Sequence, residues 1–211
     1  MLGTAAVTIW CDVEPGVRPE FDDWHTNEHL PERLAIPGFL RGTRWTAADG
    51  GTGIFILYEV ADAAVLTSAA YLERLNNPTP WSKKMMPRHM RMMRGLCRVA
   101  LSTGSTLTPR MLTVRLSPQQ GAEARLEAWL AGELPKLTGC AHLLCNVKPA
   151  IAQTTEQRIR GGDAAPDWVV LVNDERAALD LSDEKLIANG AAPGSIHASY
   201  LLASQRTSAG P

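Results

Sequence analysis

Phe39-Leu40-Arg41-Gly42-Thr43-Arg44-Trp45-Thr46, then Asp49-Gly50-Gly51, then Gly53-Ile54-Phe55-Ile56-Leu57-Tyr58-Glu59-Val60: two β-favouring runs around a glycine-rich turn read as an antiparallel hairpin. Upstream, residues 5–13 alternate as a strand, and a helical pattern over 19–34 stops at Pro37-Gly38. Downstream, a helical pattern over 62–75 is broken by Asn76-Asn77-Pro78-Thr79-Pro80. A short helical turn and a strand over 94–102 follow. The order is βαββαβ. After a polar linker, 103–110, it returns: strand 111–116, helix 122–137, strands 141–148 and 168–173, helix 177–189 and strand 195–203. Residues 152–167 read as a long polar loop.

Each unit is a split βαβ sheet with its helices on one face, which leaves the other face apolar and uncovered. Stacking two such faces buries both. The expected fold is therefore α+β: two tandem ferredoxin-like (βαββαβ) halves, 1–103 and 110–204, forming an intrachain pseudo-dimeric α+β barrel. Residues 205–211 are expected to fray.

Composition fits this reading, with 45% hydrophobic and 20% charged residues across 211 positions. A formal net charge of −1 argues against nucleic acid or an anionic membrane as partner, since both require a basic field. No apolar run approaches the ~20 residues of a membrane span. Cys11, Cys97, Cys140 and Cys145 lie in apolar segments without metal spacing, which points to buried thiols and a cytoplasmic setting. The expected partner is a small molecule, and association into a homodimer stays open.

The segment Asp23-Trp24-His25-Thr26-Asn27-Glu28-His29-Leu30-Pro31-Glu32-Arg33-Leu34, followed by Ile36-Pro37-Gly38-Phe39, resembles the dimeric α+β barrel superfamily, and within it the EthD-like branch. Tyr71 and the stretch Pro78 to Ser82 extend the resemblance. It implies this fold and a spread of reactions: cofactor-independent monooxygenases, polyketide cyclases, decarboxylases, lactone isomerases and haem proteins. The second half keeps Trp129 and Leu134-Pro135 in its first helix but has no histidine there, so the resemblance implies a site in the first half alone.

His25, Glu28, His29 and Glu32 share one stripe of an ideal helix, and imidazoles beside carboxylates suit general acid/base work. The competing reading is a solvated face, because Trp24, Leu30 and Leu34 lie roughly opposite; Pro31 would kink the helix and weaken that objection. His25, Glu28 and His29 are the catalytic candidates. Arg41 and Arg44 could hold a carboxylate or enolate, or could be surface residues, with alternation sending Arg41, Phe39 and Trp45 to one face. Trp24, Tyr71, Trp81 and His89 suit an aromatic ligand, or simply close the core. The arginines of Met85 to Arg94 read as solvated. His142 and His197 read as structural. No glycine-rich phosphate loop is present, and no cofactor is expected. Haem on His89 or His142, and a divalent metal on the His-x-x-Glu-His spacing of residues 25–29, are the lesser alternatives. The expected function is cofactor-independent acid/base catalysis (lyase, decarboxylase, cyclase or isomerase) on a hydrophobic oxygenated or aromatic small molecule. Monooxygenation of an aromatic anion, or ligand binding without turnover, are its alternatives.

Overall fold

The computed structural model describes residues 1–161, 164–174 and 179–208. Its strands are β1 (Ala5–Val13), β2 (Phe39–Ala47), β3 (Gly53–Val60), β4 (His89–Ser102), β5 (Arg110–Leu116), β6 (Cys140–Asn146), β7 (Trp168–Asn173) and β8 (Ile196–Thr207). They close into one antiparallel barrel in the order β1-β3-β2-β8-β5-β7-β6-β4. Within the first half this runs β4-β1-β3-β2, and within the second β8-β5-β7-β6, the same order of fourth, first, third and second strand.

Two long strands join the halves. The first part of β4 pairs with β1, and its end, Cys97 to Ser102, pairs with β6. In the same way β8 leaves β5 after Leu201 and runs along β2 as far as Thr207. Residues 205–207, expected to fray, are thus held by the ladder, and the Ser208 N–H donates to the Leu40 carbonyl at 2.9 Å. Both strands outrun their sequence limits: residues 204–207 of β8 pair across the halves with β2, and residues 89–93 of β4 pair with β1, long-range satisfaction of backbone groups that local patterning does not register.

The interior is filled by side chains of both halves, among them Trp10, Trp45, Phe55, Met111, Leu144, Leu171 and Tyr200. Helices cover the outside. Over the first half lie α1 (Arg18–Trp24), α2 (Leu30–Leu34), α3 (Ala69–Asn76) and α4 (Pro80–Met85). The second half carries α5 (Glu123–Glu133) and α7 (Asp183–Ala188), with α6 (Thr155–Arg160) formed inside the stretch expected to be a loop. Residues 177–178 of the helix expected over 177–189 lie outside the described residues. All four cysteines are buried and free.

Gly42 on β2 sets how closely the first helix approaches the sheet. A Cβ there would lie 2.3 Å from Leu30 Cδ1 and 3.1 Å from the Tyr58 ring. Gly42→Ala should therefore lower the unfolding free energy by about 1–3 kcal/mol, as overpacking does. A urea midpoint equal to that of the parent protein would refute it.

Candidate functional site

Between α1 and α2 the helix does not break but widens. Residues His25–His29 form a π turn in which the Leu30 N–H donates to the His25 carbonyl, five residues back. Pro31 explains the place: it has no N–H for the Asn27 carbonyl, and its ring crowds the preceding turn. Widening inserts one residue into the helical phase. The buried set is Phe21, Trp24 and His25, then His29, Leu30 and Arg33. An unbroken helix from Phe21 would have buried positions 28, 29 and 32 instead. The insertion turns Glu28 and Glu32 aside and brings Leu30 and Arg33 inward while keeping both histidines.

The histidines line a cavity between this helix and the sheet, about 30 Å³ in volume, room for one or two waters. Much of its wall is apolar and aromatic, with Ile9, Phe39, Ile56, Leu75, Met86 and Met92 beside Trp24, Tyr58 and Tyr71, and Arg33, Arg94, Glu156 and Arg160 supply a charged side. His25 is fully buried, and its Nε2 lies 3.3 Å from the Tyr58 hydroxyl. His29 lies against Trp24 with ring centres 4.4 Å apart and the planes tilted by 33°, and the two imidazoles stand 5.9 Å from each other. The Nδ1 atoms of both have no protein partner.

Burial holds both imidazoles well below the ordinary histidine range, so they are neutral at physiological pH. The charge of Arg44 reinforces this at His25, and that of Arg33 at His29. Burial likewise raises the Tyr58 phenol, which stays protonated. Arg33 Nη2 donates to Glu156 on α6, and the Arg94 guanidinium donates to the Tyr71 hydroxyl. Burial, the largest single influence, would depress Arg33; Glu156 together with Tyr71 and Tyr58 more than offsets it and raises the guanidinium above its ordinary value.

Of the residues singled out from the sequence, Trp24, His25, His29, Tyr71 and His89 meet at this cavity. The others stand elsewhere. Glu28 accepts hydrogen bonds from Thr79 Oγ1 at 2.6 Å and Ser82 Oγ at 3.4 Å. Ser82 Oγ in turn accepts from Trp24 Nε1 at 3.2 Å, so Glu28 braces the tryptophan under His29 and does not line the cavity. Arg41 is inside the barrel, paired with Glu59 at 2.6 Å. A bulge between Phe39 and Arg41 undoes the expected common face: Phe39 points to the helices, Arg41 and Trp45 to the barrel interior. Arg44 does face the helices, where its Nη1 donates to the Asp22 carbonyl at 2.9 Å and lies 3.3 Å from the Asp22 carboxylate. Trp81 is half-buried, with Nε1 donating to Glu20 at 3.1 Å.

Tyr58, Arg33, Arg94, Glu156 and Arg160 were not anticipated. Tyr58 was within reach, since alternation puts it on the face of Ile54 and Ile56. Arg94, expected in solvent, is 7% exposed. His142 is buried with Nδ1 3.0 Å from Ser102 Oγ, and His197 is exposed. Among the described residues no group of three or more His, Cys, Asp or Glu is placed to hold a metal. His89 Nδ1 lies 2.8 Å from the Met86 carbonyl, and in this closed form the cavity of about 30 Å³ has no room for a haem ring.

No family model and no curated protein matches the chain by sequence. Solved structures do match. An anthrone oxidase-like protein superposes with a TM-score of 0.61 and 11% identity, over 97% of this chain and 94% of the other. A candidate monooxygenase from Fusobacterium nucleatum gives 0.58 and 11%, over 100% and 98%. A candidate chlorite dismutase gives 0.55 and 10%, over 95% and 96%. The chain therefore shares its overall fold with these proteins. At such identities the likeness concerns the fold alone, and the differing names of these proteins assign no reaction to this chain.

Proposed function

We propose that the cavity is the active site of a cofactor-independent acid/base enzyme acting on a hydrophobic, oxygenated or aromatic small molecule. One observation carries this reading: two buried, neutral imidazoles with unpartnered Nδ1 atoms share a cavity with apolar and aromatic side chains on one side and buried arginines on the other. His29 is the general base. A base must return its proton to solvent after each turnover, and His29 is 7% exposed whereas His25 is at 0%. His25, with Tyr58 behind it, holds the substrate oxygen on which charge develops. A buried imidazole with a depressed pKa is a weak base, which restricts the substrate to acidic protons, on a phenol or on carbon beside a carbonyl. The anion formed then stabilises the imidazolium beside it.

The common strand order of the two halves supports a tandem of ferredoxin-like units, with residues 110–204 as a structural partner lacking the histidines. The EthD-like motif at residues 23–39 supports placement near that branch. Oxygenation is the second reading, favoured by the names of the anthrone oxidase-like and monooxygenase neighbours. Both routes begin with the same proton abstraction; the anion then either rearranges or meets dioxygen. The purified protein should convert members of a panel of anthrones, naphthols and aromatic keto acids, and an oxygen electrode separates the two routes. Binding without any product would remove the enzyme reading and leave a carrier.

A further inference from the structure

At about 30 Å³ the cavity is far below the roughly 300–1,000 Å³ of a ligand pocket, so part of its wall must move to admit a substrate. The wall that can move is α6. It belongs to the connection between β6 and β7 of the second half and lies over the first half's cavity. It is only six residues long, closed by a capping box in which Thr154 accepts from the Gln157 N–H. Its ties to the first half are polar: the Thr155 N–H donates to Asn76 Oδ1 at 3.0 Å, and Glu156 meets Arg33.

The charges around Glu156 say what the substrate brings. Glu156 is the one carboxylate among the described lining residues, and its side chain is 4% exposed. It satisfies Arg33 through Nη2 and leaves the buried Nη1 without a partner. Arg94, 7% exposed, meets the neutral Tyr71 hydroxyl, and no carboxylate among the described residues lies within ion-pair distance of it. Buried guanidinium groups are normally matched by anions, so this wall carries positive charge in excess of its own carboxylate. Here the group that already fits beside Arg33 is a carboxylate.

We propose that the substrate carries a carboxylate that binds Arg33 and Arg94, and that Glu156 on α6 occupies that place until the substrate displaces it. The chain would thus close its empty site with an internal copy of the group it recognises, and the planar forks of arginine suit the exchange of one carboxylate for another. This deepens the reading above and rests on the helix–sheet cavity being the substrate site.

Calorimetric binding of 2-naphthoate and its neutral isostere 2-naphthamide tests it. Wild type should favour the acid by at least about tenfold. Glu156→Gln removes the competing carboxylate and frees the arginines, so it should tighten naphthoate on the order of a further tenfold, while naphthamide gains only what a larger open fraction gives both compounds. Thr154→Ala, which loosens α6 without altering the cavity's charge, should tighten both alike. Arg94→Gln should weaken the acid alone, and it carries the test if Glu156→Gln does not fold. Equal affinities for acid and amide in wild type, weaker naphthoate binding by Glu156→Gln, or no binding of either compound would each overturn the proposal. If the acid is favoured but turnover is indifferent to His29→Ala, the carboxylate site stands and the general base falls. The converse pattern, neutral compounds turned over in a His29-dependent way, sinks the carboxylate site and leaves the base.

Discussion

His29→Ala should lower kcat by about 10²- to 10⁴-fold on any substrate the enzyme turns over, the span typical of losing a positioned general base. Folding should survive, because the ring sits beside a cavity and Trp24 remains anchored through Ser82. His25→Ala should cost about 10²-fold or more by removing a hydrogen bond to the developing oxyanion. The pH profile separates this from a structural effect. Burial places the His29 pKa well below its ordinary value of about 6.5, so the base stays deprotonated and kcat/KM stays level as pH drops through 6.5, falling only in more acid solution. Stability moves with the same sign. Between the depressed native values and about 6.5 the unfolded chain binds protons that the buried rings refuse, so stability is full above that window and declines as pH falls through it. His142, pushed down to about 3 chiefly by burial, acts in the same direction between about 6.5 and that value. An acid limb centred near 6.5 that persists in His29→Ala would rule out His29 as the base.

The repeated unit was legible because strand alternation and turn residues are local signals, and β1 and β7 match their sequence limits. The phase of the first helix was not. Ideal periodicity placed Glu28 and Glu32 beside the histidines, whereas one extra residue in the π turn put Leu30 and Arg33 there. Pro31 was the visible sign of a disturbance, but it does not say whether a helix kinks, ends or widens. Glu156 was illegible for a different reason. It lies in a polar stretch of the other half, and its role exists only once the barrel brings α6 to Arg33, 123 residues away. The same holds for Arg41: alternation gave it a face, and only barrel closure made that face the interior.

Arg41→Met should cost about 3–5 kcal/mol of stability, the usual result of leaving one member of a buried ion pair alone. Arg41 and Glu59 are directly paired residues of β2 and β3, and both point into the barrel on the faces that carry Trp45 and Phe55. Glu59 is 1% exposed and also accepts the Leu2 N–H at 2.6 Å. Without the guanidinium its charge would keep one backbone hydrogen bond and only the more distant Met1 ammonium as counterion. The double variant Arg41→Met, Glu59→Leu should recover most of the loss, since an apolar pair of similar volume often matches a buried ion pair; the orphaned Leu2 N–H sets the remainder. Urea unfolding of the parent, both single variants and the double variant measures the coupling directly. A loss under about 1 kcal/mol in Arg41→Met would show that water reaches Glu59 and that this end of the barrel is open. The same variant decides the residue's part in function. Arg41 is separated from the cavity by the sheet itself, so kcat and KM per folded molecule should match the parent, whereas a tenfold rise in KM would return Arg41 to the substrate.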